Sequence, residues 1–129
     1  LPAAAEHKVG VIVRVAMDES ALTGKLTPQT RFAEGDFRAG YFAGDRLERT
    51  IKRVEQIRQT IAQAEKDLPS AALKFALKPQ AVSTVIPGIR NVKQAEANMA
   101  VGSAPPMSDE LEHRLRAHAW RRAFWYGGK

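Results

Sequence analysis

The chain has no cysteine. That excludes a disulfide framework and any thiolate metal site, and it fits a cytoplasmic setting. No apolar run approaches the ~20 residues needed to span a bilayer, so no membrane span is expected. The start, LPAAAEHK, has neither the basic n-region nor the apolar core of a secretory leader. It also lacks an initiator methionine and reads as the last turn of a helix already under way, which sets the expectation of a chain whose beginning lies elsewhere. Histidine is scarce: His7, His113 and His118 are the three present. The last two are five residues apart and do not share a helix face as an i, i+4 pair would, so no metal site is expected. Acidic residues are outnumbered, 14 against 20 Lys and Arg, for a net charge of +6. This excess points to an anionic partner such as a phosphorylated ligand, nucleic acid or a membrane surface. Solvated helix faces are the ordinary alternative for any single Lys or Arg.

What is present is a soluble, globular composition of 129 residues with 44% hydrophobic and 26% charged side chains, enough for one domain. Residues 9–17, VGVIVRVAM, form a nearly continuous β-branched and apolar run, the pattern of a strand buried on both faces of a parallel sheet. Residues 18–45 read as a long loop punctuated by Gly24, Pro28, Gly35, Gly40 and Gly44. Residues 46–66 carry Leu47, Ile51, Val54, Ile57 and Ile61 at helical spacing. Asp67 is placed to cap a second helix through LPSAALKFAL. A second strand runs from Val82 to Ile86 and stops at Pro87-Gly88. A third helix begins at Asn91, with Gln94 at capping-box spacing, and is expected to end before Gly102. Ser108 caps a last helix that carries Leu111 and Leu115. Strands alternating with helices predict a parallel α/β arrangement. Two strands alone leave open edges and uncovered apolar surface, so the chain is expected to belong to a larger α/β protein, or to self-associate.

The chemistry concentrates in STVIPGIRNVKQAEAN, residues 83–98. Ligands of parallel α/β folds sit beyond the carboxyl ends of the strands. Gly88 permits close backbone approach, the free N–H groups near Asn91 to Lys93 favour an anion, and Arg90 offers a donor fork and a flat stacking face. A phosphate or nucleotide pocket fits these residues. A plain Pro-Gly turn with a routine Asn cap fits them as well. Asp18 with Glu19 has the composition of an acid pair, but loop carboxylates are commonly just solvated, and Tyr41 and Tyr126 stand outside any recognisable motif. No catalytic residue is assigned.

The same stretch resembles the C-terminal cofactor signature of the aldo-keto reductases, in which the last barrel strand ends in Ile-Pro-Gly, followed by a basic residue and then Gln and Asn on the next helix. VGVIVRVAMDESALTGKL resembles the family's seventh strand and its loop, LPSAALKFAL the intervening helix, and RAHAWRRAFWYGGK the end of bacterial members. The resemblance implies a (β/α)8 TIM barrel that reduces carbonyl substrates with NADPH. Residues 1–129 would then be its C-terminal fragment: two parallel strands with about four helices. By position, Pro87, Gly88, Arg90, Gln94 and Asn98 would hold the adenosine end, with Arg90 on the 2′-phosphate. Arg14, Val15, Ala16, Met17, Asp18, Leu22 and Gly24 would border the diphosphate and nicotinamide side. Arg14 stands where many members carry an aromatic, Ala16 where proline is frequent, and Ala97 where glutamate is common. The family's catalytic Asp, Tyr, Lys and His come from earlier strands, which a chain of 129 residues does not hold; a whole barrel takes ~250. The chain alone is therefore expected to be inactive. A second reading is a basic interaction module. In it, Arg114, Arg116, Arg121 and Arg122, interleaved with Trp120, Phe124, Trp125 and Tyr126, would meet nucleic acid or an acidic partner. Packing of those aromatics against the rest of the fold makes nucleic acid the less favoured partner.

Overall fold

The computed structural model describes residues 1–120. The order is α1 (Pro2–Glu6), β1 (Val11–Arg14), a one-turn 3-10 helix (Ala21–Thr23), α2 (Phe37–Tyr41), α3 (Arg46–Ile61), α4 (Leu68–Leu77), β2 (Val82–Ile86), α5 (Val92–Ser103) and α6 (Asp109–Arg116). β1 and β2 pair in parallel, with Ile12 beside Thr84 and Arg14 beside Ile86, and with a register shift between Val11 and Ile12. Parallel strands need a long crossover, and here α3 and α4 supply it.

The caps form where the local sequence allows. Asp67 accepts from the Ser70 N–H at 2.8 Å, Asn91 from the Gln94 N–H at 2.9 Å, and Ser108 from the Leu111 N–H at 3.2 Å. Each pre-helix side chain satisfies an N–H that has no partner inside its helix.

Four boundaries differ from the expectation. β1 is only Val11–Arg14, because Val15 turns to φ 57°, outside the extended region. α3 stops at Ile61 rather than residue 66; beyond it the Glu65 carboxylate pairs with Lys74 of α4 at 2.8 Å. α5 passes through Gly102 to Ser103, ahead of Pro105 and Pro106. The long loop holds two short elements, the 3-10 turn and α2, and with α1 these bring the α-helices among the described residues to six rather than about four.

The core lies between the helices. Tyr41, Phe42, Val54, Ile61, Leu68, Met107 and Leu111 cluster there, with Phe32, Leu47, Ile57 and Phe75 packed around them. The sheet is not sealed in the way a strand buried on both faces would be. Ile12 is 64% exposed and Ile86 57%, and Val9, Val15 and Ile89 are exposed as well. Burial follows neighbours, and a two-stranded sheet has too few of them.

Candidate functional site: a basic cleft at the strand ends

β1 and β2 run parallel, so their carboxyl ends emerge side by side. A cleft of about 420 Å³ opens between the two segments that follow them. Val15, Ala16 and Met17 line it from the β1 side, and Pro87, Gly88, Arg90 and Gln94 from the β2 side. Those seven sequence-predicted residues are brought together.

The other five lie around it. Arg14 and Leu22 line a second, apolar cleft of about 620 Å³ that reaches α4 and α6, which Val15 and Ala16 also touch. Asp18 accepts a hydrogen bond from the Tyr41 hydroxyl at 2.6 Å. Gly24 is packed under α3 and α4: at φ 69°, an added Cβ would come within 2.8 Å of Leu68 Cδ1. Its glycine is explained by that left-handed backbone and close approach. Asn98 donates to the Gly88 carbonyl at 3.4 Å, behind the cleft wall.

The β2 wall is held by α5. Asn91 caps the helix, but Gln94 does not close the box on Asn91. Its Oε1 accepts from the backbone N–H of Arg90 at 2.8 Å. Gln94 and Asn98 thus fasten the turn that carries Arg90, and the Arg90 side chain is exposed.

The β1 wall holds residues that sequence reasoning missed. Lys25 and Arg38 line the cleft with Arg90, against a single carboxylate, Glu19. The Arg38 charge is paired with Asp36, so Lys25 and Arg90 against Glu19 leave the cleft a modest positive excess that favours an anion. Arg38 is fixed: it donates to Asp36 at 2.6–3.2 Å and to Ser20 Oγ at 3.4 Å, and lies 5.1 Å from the Phe32 ring centroid. Asp36 and Phe32 lie near it in the chain, but the tie to the cleft wall is Ser20, 18 positions away, and an arginine in a glycine-punctuated loop carries no local signal of that.

Asp36 feels this setting. Hydrogen bonding from the Arg38 guanidinium, then from its backbone N–H, holds the carboxyl down at about 2 against the usual 3.8, and the charges of Arg38 and Arg90 act in the same direction. The folded value is depressed, so the ionised pair stabilises the fold fully above about 3.8, and this contribution disappears as pH falls through about 2. Asp36→Asn keeps the cap acceptor and removes the charge. We expect it to lower Tm at pH 6, with the difference from wild type closing by pH 2. A difference that stays constant down to pH 2 would mean the carboxylate charge is not what Asp36 contributes.

The basic C-terminal segment is engaged within the chain as far as residue 120. Arg116 pairs with Glu112 and sits 5.8 Å from the Phe75 ring, Arg114 donates to the Thr60 carbonyl at 3.1 Å, and Arg53 lies 5.1 Å from the Trp120 ring. Arg121, Arg122, Phe124, Trp125 and Tyr126 lie outside the described residues. No helix among the described residues is long and apolar enough to cross a membrane.

Among curated proteins, the chain is similar to "Uncharacterized oxidoreductase YqkF" of Bacillus subtilis (strain 168), with 26% identity over 120 residues. The match takes in 92% of this chain but only 37% of that protein. Among solved structures it superposes on the glycerol dehydrogenase AKR11B4 from Gluconobacter oxydans with a TM-score of 0.80 at 20% identity, covering 92% of this chain and 36% of that one. The aldo-keto reductase AKR11C1 from Bacillus halodurans gives 0.66 at 21%, covering 93% of this chain and 38% of that one. The fold is accordingly that of part of a (β/α)8 barrel, and the two strands are neighbours in it. The family model described as "Aldo/keto reductase family" matches residues 1–119, and the chain belongs to that family.

Proposed function

We propose that this chain is the C-terminal, cofactor-binding portion of an NADPH-dependent aldo-keto reductase that converts a carbonyl to an alcohol. The observation that carries the reading is the basic cleft at the carboxyl ends of two adjacent parallel strands, with Arg90 on one wall and Lys25 and Arg38 on the other. Barrel enzymes bind their ligands on this face. A dinucleotide phosphate needs cations at more than one point along its length, and Arg90 on one wall with Lys25 on the other, beside the Asp36-paired Arg38, supplies that.

The residues divide the work by position. Pro87, Gly88 and Arg90, with Gln94 and Asn98 behind them, form the adenosine end, and Arg90 meets the 2′-phosphate. Val15, Ala16 and Met17, with Arg14, Asp18, Leu22 and Gly24 around them, shape the diphosphate and nicotinamide side. When bound, the cofactor supplies the hydride. The chain's own part is to hold and orient it. The donors that polarise the carbonyl belong to strand ends other than β1 and β2, so the carbonyl substrate is set by the rest of the barrel.

Titration with NADPH, followed by nicotinamide fluorescence in the protein that carries this chain, tests the reading. Saturable binding that dilute inorganic phosphate does not abolish is the expected result. No saturable binding, or equally good displacement by any small anion, would overturn it.

A further inference from the structure

The backbone after β1 is unusual in a way that the cofactor reading does not use. Val15, Asp18, Glu19 and Ser20 have φ values of 57°, 49°, 51° and 81°. Side chains with a Cβ disfavour this region, β-branched Val15 most of all. Among the described residues, Lys8 is the one other non-glycine with positive φ. The turn is therefore held by its surroundings rather than chosen by its own residues.

Part of the hold is local, with the Asp18 N–H donating to the Val15 carbonyl at 2.9 Å and the Thr23 hydroxyl to the Ser20 carbonyl at 2.7 Å; side chains of one short element farther along the chain add to it. The Tyr41 hydroxyl, at the end of α2, donates to Asp18 Oδ1 at 2.6 Å, and Arg38 of the same helix reaches Ser20 Oγ at 3.4 Å. Tyr41 is 3% exposed, with the Phe42 ring edge-on at 4.9 Å and the Phe37 ring at 5.8 Å, so its hydroxyl has little freedom to move. The turn it grips is the cleft wall: Val15, Glu19 and Ser20 line the cleft, and Tyr41 does not.

We propose that the Asp18–Tyr41 hydrogen bond is a positioning contact. It keeps the left-handed turn in the shape that the cleft requires, so that Tyr41 governs dinucleotide affinity without touching the dinucleotide. This rests on reading the cleft as a nicotinamide dinucleotide site. The bond is short and made to a carboxylate, the stronger kind of hydrogen bond. Without it, the turn relaxes toward ordinary φ values and the wall must be rebuilt each time a ligand binds.

The test uses the protein that carries this chain and measures Kd for NADPH and NADH together with Tm. Tyr41→Phe keeps the ring and removes the hydroxyl. It is expected to weaken both cofactors alike, by about tenfold. Asp18→Ala should also weaken both cofactors, and the double variant should lose less than the sum of the single changes, because the two share one bond. Asp18→Asn retains an acceptor oxygen and should recover part of the loss seen with Asp18→Ala. Leu73→Ala, at a buried site of α4 outside the core cluster that holds Tyr41, should lower Tm and leave both Kd values at wild type; if it weakens binding equally, loss of stability alone explains Tyr41→Phe and the proposal fails. Unaltered Kd values in Tyr41→Phe, or losses that add in the double variant, also overturn it. If Tyr41→Phe does not fold, equal Kd values for Asp18→Ala and Asp18→Asn overturn it. A wild-type protein that does not bind NADPH removes the cofactor reading itself, whereas wild-type binding with an indifferent Tyr41→Phe removes only the positioning role.

Discussion

Replacing Arg90 by alanine is expected to weaken NADPH by about tenfold to a hundredfold, and NADH by only about two- to fivefold. The difference between the cofactors is the 2′-phosphate. A charge-assisted hydrogen bond to it contributes roughly 1.5–3 kcal/mol. NADH lacks the phosphate and loses only stacking of the guanidinium on adenine, about 0.5–1 kcal/mol at an exposed site. The surroundings favour this division. Arg90 is exposed, so its charge is not neutralised by a buried partner, while its backbone is fixed by Gln94 and the turn behind it by Asn98. Asp36, across the cleft, feels its charge but is already occupied by Arg38. Lys93, exposed on the first turn of α5, can share the phosphate and blunt the single change, so Arg90→Ala with Lys93→Ala is the sharper variant. Fluorescence titration of both cofactors gives the answer. Equal losses would remove the 2′-phosphate assignment and leave Arg90 as a general contact to the dinucleotide.

What could be read from the sequence was whatever local chemistry decides. β2 was legible because β-branched residues run directly into Pro87-Gly88, and the caps at Asp67, Asn91 and Ser108 were legible because each side chain serves an N–H three residues away. The pairing of the β1 and β2 ends followed from alternating strands and helices together with the family resemblance. The segment from residue 18 to 45 was not legible, because its conformation is set by distant partners. Val15 ends β1 early in a conformation that no β-branched residue prefers, and Glu65 leaves the α3 register for an ion pair with Lys74. Lys25 and Arg38 reach the cleft only because that segment folds back over the end of β1, and nothing in a stretch such as EGDFRAGYF signals the return. Asp18 was visible in the sequence within the strand-and-loop stretch of the family resemblance, and Tyr41 as a polar residue without a motif; their hydrogen bond across 23 positions was not.

The aromatic cluster in that segment carries the largest expected effect on stability. Phe42→Ala should cost about 3–5 kcal/mol, the usual range for emptying a buried aromatic site. Phe42 is 4% exposed and joins the core formed by Val54, Ile61 and Met107. It also stacks on Phe32, with centroids 5.6 Å apart and planes 16° from parallel, and meets Tyr41 edge-on at 4.9 Å. Such ring pairs add about 0.5–1.5 kcal/mol beyond the area they bury. Phe42→Leu refills much of the volume but loses both ring geometries, so its cost should be smaller, about 1–2 kcal/mol. The consequence reaches the cleft. Phe32 stacks on Phe42 and also meets the guanidinium of Arg38, so a vacancy at position 42 loosens Phe32 and, with it, one of the contacts that fix Arg38 at the cleft wall. Phe42→Ala should therefore weaken dinucleotide binding as well as stability, whereas Phe42→Leu should do so less. Equilibrium unfolding in urea, with and without NADPH, separates the two effects, since a ligand that binds only the folded state stabilises it in proportion to its affinity. A loss below about 1 kcal/mol for Phe42→Ala, far under the range for a buried aromatic, would mean that the segment joining β1 to α3 is not seated on the core. The cationic wall would then lack the rigid base on which its discrimination for a phosphorylated cofactor depends.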